Sequence, residues 1–131
     1  EAAFHRAREE ATSDDEGAFA RLLQVTLPRS AVDRFYAGLR DLGRTSYGEE
    51  GALFSLTGVP DERIAVAVDT RPVLGTKLAG IEAHRTQIGE LERIPEPLRR
   101  IHLDTEWFVQ AWPERQDGGE PATRLVGEGS G

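Results

Sequence analysis

The chain has 131 residues, a hydrophobic fraction of 38% and a formal net charge of −7, values that predict one domain with enough apolar residues for a core. An acidic surface is repelled by polyphosphates and anionic lipids, so neither nucleic acid nor a membrane surface is an expected partner. The absence of cysteine excludes disulfides and thiolate zinc sites, and no apolar run is long enough for membrane insertion, so we expect a cytoplasmic protein.

The chain opens on a helical pattern. In "EAAFHRAREEA" the residues Ala3, Phe4, Ala7 and Ala11 share one helical face, but no Ser, Thr, Asp or Asn precedes them to cap the first turn. The chain also contains no methionine. We therefore expect residue 1 to lie inside a helix that begins earlier in the gene product.

The next elements alternate between strand and helix. The stretch "RLLQVTL" at 21–27 predicts a strand. Ser30 can cap a helix that Gly43 ends, and its apolar residues recur at helical spacing: Val32, Phe35, Tyr36, Leu39 and Leu42. After a flexible connection at 43–51, "ALFSLTG" at 52–58 is a further candidate strand.

A continuous apolar strand, "RIAVAVD" at 63–69, leads into the most informative helix. Such a strand is typically covered on both faces, as in a mixed or parallel sheet between helices. Asp69 or Thr70 can cap the helix that follows, and Gly89 can end it, which predicts a helix over 71–88.

The remaining pattern predicts a helix around "PEPLRRIHL" and a last strand, "TEWFVQAWP", at 105–113. Residues 114–131 are rich in glycine and charge, and we expect them to form a disordered tail. The predicted domain therefore spans 1–113.

The helix at 71–88 carries three polar residues among apolar ones: Lys77, His84 and Gln87. They follow helical spacing with Ile81 and Ile88, so they share a side with core positions. Lys77 is also the only lysine in the chain. From the pattern, His84 and Gln87 either cap backbone groups at the helix end or serve a functional site.

Two acidic stretches resemble metal sites only superficially. His102, Asp104 and Glu106 alternate, which on a strand would place one imidazole and two carboxylates on one face. We interpret them as a solvated strand edge, and "SDDE" at 13–16 as a solvated polar loop. No metal ligand and no catalytic residue is assigned in this chain.

Four features resemble the C-terminal portion of the PIG-L/LmbE-like zinc N-deacetylases, which remove acetyl groups from N-acetylglucosaminyl lipids, thiols and related amides. They are "IAVAVD", the helix with Lys77 followed by "AHRTQ", the connection "PEPLRR", and "TEWFVQAW". Upstream, "LLQVTLPRSAVDRF" and "EAAFHRA" resemble elements around the family's middle motif. The resemblance implies an α/β fold, the C-terminal portion of a Rossmann-like three-layer domain with a mixed sheet.

The family's zinc-binding "AHPDDE" and "HPDH" motifs have no counterpart here, since Thr12 and Ser13 stand where the first motif has histidine and proline. The resemblance thus implies that zinc and the aspartate base belong to an N-terminal half outside this chain, and that the substrate is a small amino-sugar conjugate. It places Lys77, His84, Arg85 and Gln87 beside the cleft, where they support a loop or touch substrate. The alternative is a non-catalytic α/β binding or assembly module without zinc chemistry. The oligomeric state is not predicted.

Overall fold

The computed structural model describes residues 1–11, 20–44, 57–84, 86 and 92–125. Its elements in chain order are α1 (Ala2–Glu10), β1 (Leu22–Thr26), α2 (Arg29–Asp41), β2 (Ile64–Asp69), α3 (Leu74–Ala83), α4 (Glu96–Leu103) and β3 (Thr105–Trp112). Short 3₁₀ turns at Asp61–Arg63 and Arg71–Val73 precede β2 and α3. The α/β class is thereby confirmed, while most of the predicted strand at 52–58 lies outside the described residues.

The described strands form a three-stranded sheet in the order β1-β3-β2. Both outer strands run antiparallel to β3, and Trp107 pairs with Thr26 on one side and with Ala67 on the other. The mixed sheet expected from the apolar run in β2 is therefore not seen among these strands. A register shift between Ile64 and Val66 accompanies the burial of Ile64, Ala65 and Val66 in succession. The loss of alternation in burial thus coincides with a local irregularity in the pairing of β2 with β3.

Helices α2 and α4 pack against each other beside the sheet. Phe35, Leu39 and Leu98 form their buried contact, as the helical spacing in α2 predicts. Gly38 faces Leu98 so closely that an added Cβ would overlap the leucine side chain. Ser30, predicted to cap α2, instead lies within its first turn, and Pro28 occupies the N-cap position.

Helix α3 is shorter than the predicted 71–88. Residues Arg71–Val73 form a 3₁₀ turn, and the α-helix runs from Leu74 to Ala83. His84 follows with φ −96° and ψ 69°, outside the helical region, so the helix ends there. None of the α3 residues is fully buried. No described helix combines the length and hydrophobicity needed to cross a bilayer.

Residues 114–125 make contacts that the sequence does not predict. The Ala67 amide donates to the Ala122 carbonyl at 2.8 Å, and the Ala122 amide donates to the Ala65 carbonyl at 2.9 Å. Ala122 thus pairs in parallel beside Val66 and covers part of the outer edge of β2. The predicted disorder of 126–131 falls outside the described residues.

Candidate functional site

Lys77 lies at the corner where α4 passes into β3. Its Nζ is 2.9 Å from Glu106 Oε1 and donates to the Leu103 carbonyl at 3.1 Å and to Thr70 Oγ1 at 3.5 Å. The Lys77 side chain is 18% exposed, against 41% for Glu106. The lone lysine is therefore held by three oxygen atoms from three different segments.

Thr70 completes this corner from the end of β2. The residue is buried, and its hydroxyl donates a short hydrogen bond to the Leu103 carbonyl. Its amide donates to the Asp104 carbonyl at 2.9 Å. Two carbonyls at the C-terminal end of α4, which the helix itself leaves unpaired, are satisfied in this way. Thr70 consequently joins β2 to α4 rather than capping the next helix with its side chain.

Two exposed ion pairs flank the corner. Arg71 and Asp69 approach to 2.6 Å, as do Arg100 and Asp104. Asp69 Oδ1 also accepts a hydrogen bond from the Arg71 amide at 3.0 Å. Of the two predicted caps for the helical segment that begins at Arg71, Asp69 and Thr70, it is therefore Asp69 whose side chain makes this contact. Hydrogen bonds from the Arg71 side chain and backbone lower the pKa of Asp69 to about 2. The same partnership raises the pKa of Arg71, so both groups stay charged at neutral pH.

His84, another of the predicted site residues, does not join this corner. His84 is exposed at the end of α3, and no hydrogen bond or ion pair links its side chain to the described part of the chain. Arg85 and Gln87 lie outside the described residues. The break after Ala83 interrupts the helical spacing that would align His84 with Lys77. The structure thus locates Lys77 and leaves the roles of His84, Arg85 and Gln87 as predictions.

The alternating acidic cluster does not form on one strand. His102 lies within α4, Asp104 is its C-cap and Glu106 belongs to β3. Asp104 and Glu106 are each engaged by a basic residue. Within the described ranges, no three His, Cys, Asp or Glu side chains are grouped so as to hold a metal ion. The strand geometry assumed from the sequence is wrong because α4 continues through Leu103.

His102 instead faces α2. Its ring lies edge-on to Phe35, with the ring centroids 5.2 Å apart. Its Nε2 is buried, with no hydrogen-bond partner among the described atoms. Burial disfavours the charged imidazolium and lowers the pKa of His102. The residue therefore behaves as part of the interface between α2 and α4.

Sequence reasoning missed the role of Glu106 as the partner of Lys77. The two residues are far apart in the chain and belong to different elements, so no helical or strand spacing connects them. The signal available in the sequence was the single lysine among 16 basic residues. A single lysine indicates that position 77 is unusual, but it does not indicate that Glu106 is the partner of Lys77.

Comparison with known proteins gives one relevant similarity. A 1D-myo-inositol 2-acetamido-2-deoxy-alpha-D-glucopyranoside deacetylase from Thermomonospora curvata is 36% identical over 89 residues, an alignment that covers 63% of this chain and 30% of the relative. The chain thus spans about a third of the length of this relative. No family model matches the chain, and no solved structure matches it significantly. The similarity links the chain to a deacetylase of an amino-sugar conjugate.

Proposed function

We propose that the intact protein is a zinc-dependent deacetylase that removes the N-acetyl group from a small N-acetylglucosaminyl conjugate. The observation that carries this proposal is the 36% identity to a deacetylase of such a compound. The stretches "IAVAVD", "AHRTQ" and "TEWFVQAW" support it through their resemblance to zinc N-deacetylases. Our proposal assigns this chain to the part of the enzyme beside the cleft, and the enzyme to the cytoplasm.

The described residues do not fit a zinc site. Zinc in proteins is usually held by three or four closely spaced nitrogen, oxygen or sulfur ligands, whereas His102 Nε2 is buried against α2 and Asp104 and Glu106 are ion-paired. Our proposal therefore assigns the metal ligands and the catalytic base to residues outside the described ranges. In this proposal, the present chain forms part of the wall of the cleft and supports it.

The proposal also includes a larger fold and a set of cleft residues. We infer that the antiparallel strands described here belong to a Rossmann-like three-layer domain with a mixed sheet in the intact protein. In that arrangement His84, Arg85 and Gln87, which follow α3, contact the substrate or support a loop beside it. Such groups act on the transition state by positioning hydrogen bonds rather than by exchanging protons.

The test uses the full-length protein purified with and without added zinc. We expect it to release acetate from the glucosaminyl-inositol acetamide named for the relative, to lose this activity on chelation and to regain it with zinc. An N-acetylated peptide serves as the control amide and should not be hydrolysed. Absence of acetate release together with absence of bound zinc would contradict the proposal and support the alternative of a non-catalytic α/β module.

The proposed cleft residues are tested in the same assay. Replacing Gln87 with alanine should lower kcat/KM about ten-fold, since one positioned hydrogen bond is worth about 1–2 kcal/mol. The thermal midpoint should change little. Unchanged kinetics with a lowered midpoint, for Gln87→Ala and for His84→Ala, would instead assign these side chains to helix capping.

A further inference from the structure

We infer that Lys77 is a positioning residue: it tethers α3 to the corner formed by α4 and β3, and thereby fixes where His84, the residue that follows α3, lies. The tether follows from contacts within this chain. Its consequence for the cleft rests on the proposed deacetylase function, so the two parts are tested by separate measurements.

The donors of Lys77 are already used within the protein. A lysine ammonium has three N–H donors, and Lys77 Nζ has three oxygen neighbours, Glu106 Oε1 at 2.9 Å, the Leu103 carbonyl at 3.1 Å and Thr70 Oγ1 at 3.5 Å. The half-buried side chain would have to give up one of these contacts to bind a substrate. Lys77 therefore acts on a ligand through the position of α3 rather than by direct contact.

The polar contacts of Lys77 matter because α3 is otherwise weakly held. None of its ten residues is fully buried, in contrast to Val32, Phe35 and Leu39 in α2. A helix without buried side chains gains little from apolar packing. The tether from Lys77 is thus a main connection between the described part of α3 and the sheet.

The site of attachment suits a cation. Leu103 is the last residue of α4, where unpaired carbonyls and the helix dipole favour positive charge. Glu106 adds a carboxylate from the start of β3, and Thr70 adds its hydroxyl from the end of β2. Because the charge and the three acceptors come from separate elements, the lysine fixes α3 relative to all of them.

The tether lies close along the chain to His84, one of the proposed cleft residues. Lys77 is separated from His84 by the second half of α3, which ends at Ala83. A helix transmits a shift of one turn to the next because its backbone hydrogen bonds keep it rigid. Loss of the Lys77 contacts should therefore move or loosen the end of α3 and His84, which follows it.

The experiment compares Lys77→Met, Glu106→Gln and the double variant in the full-length protein. Lys77→Met keeps an unbranched side chain one atom shorter but removes its charge and donors. Arg100→Met is the matched control, because it removes a cation from the same corner whose partner, Asp104, is four residues away at the end of α4. Lys77→Arg keeps a cation and tests for rescue.

Two measurements are made on each variant. Backbone hydrogen exchange in Leu74–Ala83 should accelerate about ten-fold or more in Lys77→Met and by a smaller factor in Glu106→Gln, whose amide oxygen still accepts from Lys77, with α2 unchanged. The kcat/KM for the glucosaminyl-inositol acetamide should fall about ten-fold in Lys77→Met and less in Glu106→Gln, fall no further in the double variant than in Lys77→Met, and recover in Lys77→Arg. Arg100→Met should change neither quantity.

Unchanged exchange in α3 would overturn the tether. Faster exchange with unchanged kcat/KM would overturn the role of Lys77 in positioning the cleft. If Lys77→Met fails to fold, Glu106→Gln, which preserves the shape of the side chain, decides between the same outcomes. An inactive wild type would overturn the proposed function and the cleft role with it, whereas the exchange measurement would still decide on the tether.

Discussion

Asp61 Oδ1 accepts a hydrogen bond from the Ser30 amide at 3.0 Å, across 31 positions in the chain. The carboxylate belongs to the 3₁₀ turn before β2 and meets the first turn of α2, whose own N-cap residue, Pro28, provides no side-chain acceptor. Hydrogen bonds from the Ser30 side chain and backbone lower the pKa of Asp61. A distant residue thus supplies the cap that is usually local.

Replacing Asp61 with alanine should lower the free energy of unfolding by about 1 kcal/mol, the usual cost of losing a helix cap. Asp61→Asn should lose less, because its amide oxygen still accepts the Ser30 amide. Urea unfolding followed by circular dichroism measures both. Glu62→Ala, which alters the exposed neighbour, is the control and should have little effect.

The same contact has a pH dependence. The pKa of Asp61 is lower in the folded protein than its ordinary value of 3.8, so its ionised form stabilises the fold above that value. This contribution should disappear as the pH falls below 3.8, and Asp61→Asn should not show it. A variant with the same acid dependence as the parent chain would show that the hydrogen bond is not formed in solution.

Helix α2 illustrates both what the sequence predicts well and what it misses. The residues of α2 and the strands at 64–69 and 105–112 follow from local spacing, and the structure confirms them. The partners Asp61 with Ser30 and Lys77 with Glu106 are distant in sequence, so no local pattern indicates them. Because only local residues enter such a prediction, the sequence assigns the cap of α2 to Ser30 and not to Asp61.

The boundaries of helices are the other source of error. The helix predicted around "PEPLRRIHL" is confirmed as far as Leu103. The interpretation of His102, Asp104 and Glu106 as one strand edge is wrong because their alternation continues across the junction of α4 and β3. The apolar spacing predicts one helix over 71–88, whereas the backbone leaves the helical region at His84 and α3 ends at Ala83. Spacing indicates where a helix is favourable, but the tertiary contacts decide where it ends.

His102 should make stability depend on pH near neutrality. Its pKa is lowered by burial below the ordinary value of 6.5, so the unfolded chain binds a proton more readily than the folded one. Stability is therefore complete above about 6.5 and should decrease as the pH falls through that value. Urea midpoints measured at pH 7.5 and pH 5 should differ, and His102→Phe should reduce the difference.

The control for this prediction is His84→Gln, which alters an exposed histidine and should preserve the difference between the two pH values. An equal difference in the parent chain and in His102→Phe would show that His102 is not protonated on unfolding. Because Phe35 lies against the ring, replacement by another aromatic side chain keeps the packing nearly constant.

Two glycines in helices should respond oppositely to alanine. Gly38 in α2 faces Leu98 without room for a Cβ, so Gly38→Ala forces the buried leucine to move. Overpacking costs about 1–3 kcal/mol, which should exceed the helix propensity gained, of about 1 kcal/mol. Gly80 in α3 has no described atom within 4 Å of the added Cβ, so Gly80→Ala should stabilise the chain.

Thermal unfolding of the two variants beside the parent chain checks the prediction. A lower midpoint for Gly38→Ala with a raised or equal midpoint for Gly80→Ala is the expected result. If Gly38→Ala were as stable as the parent, α2 and α4 would be packed less closely than the structure indicates. Destabilisation by Gly80→Ala would indicate that another part of the protein packs on this side of α3.

The final prediction concerns the segment that covers the edge of β2. The sequence predicts that residues 114–131 form a disordered tail, but Ala122 exchanges two backbone hydrogen bonds with Ala65 and Ala67. Deleting 114–131 should therefore cost about 1–2 kcal/mol, near 1 kcal/mol for each hydrogen bond lost, and should promote association through the exposed strand edge. Ala122→Pro, which removes the amide that donates to Ala65, should reproduce about half of the loss, whereas Ala122→Ser keeps the amide and should have little effect. Urea unfolding and light scattering measure the two consequences. A deletion variant with the same stability and the same apparent mass as the parent would support the disorder that the composition of this tail predicts.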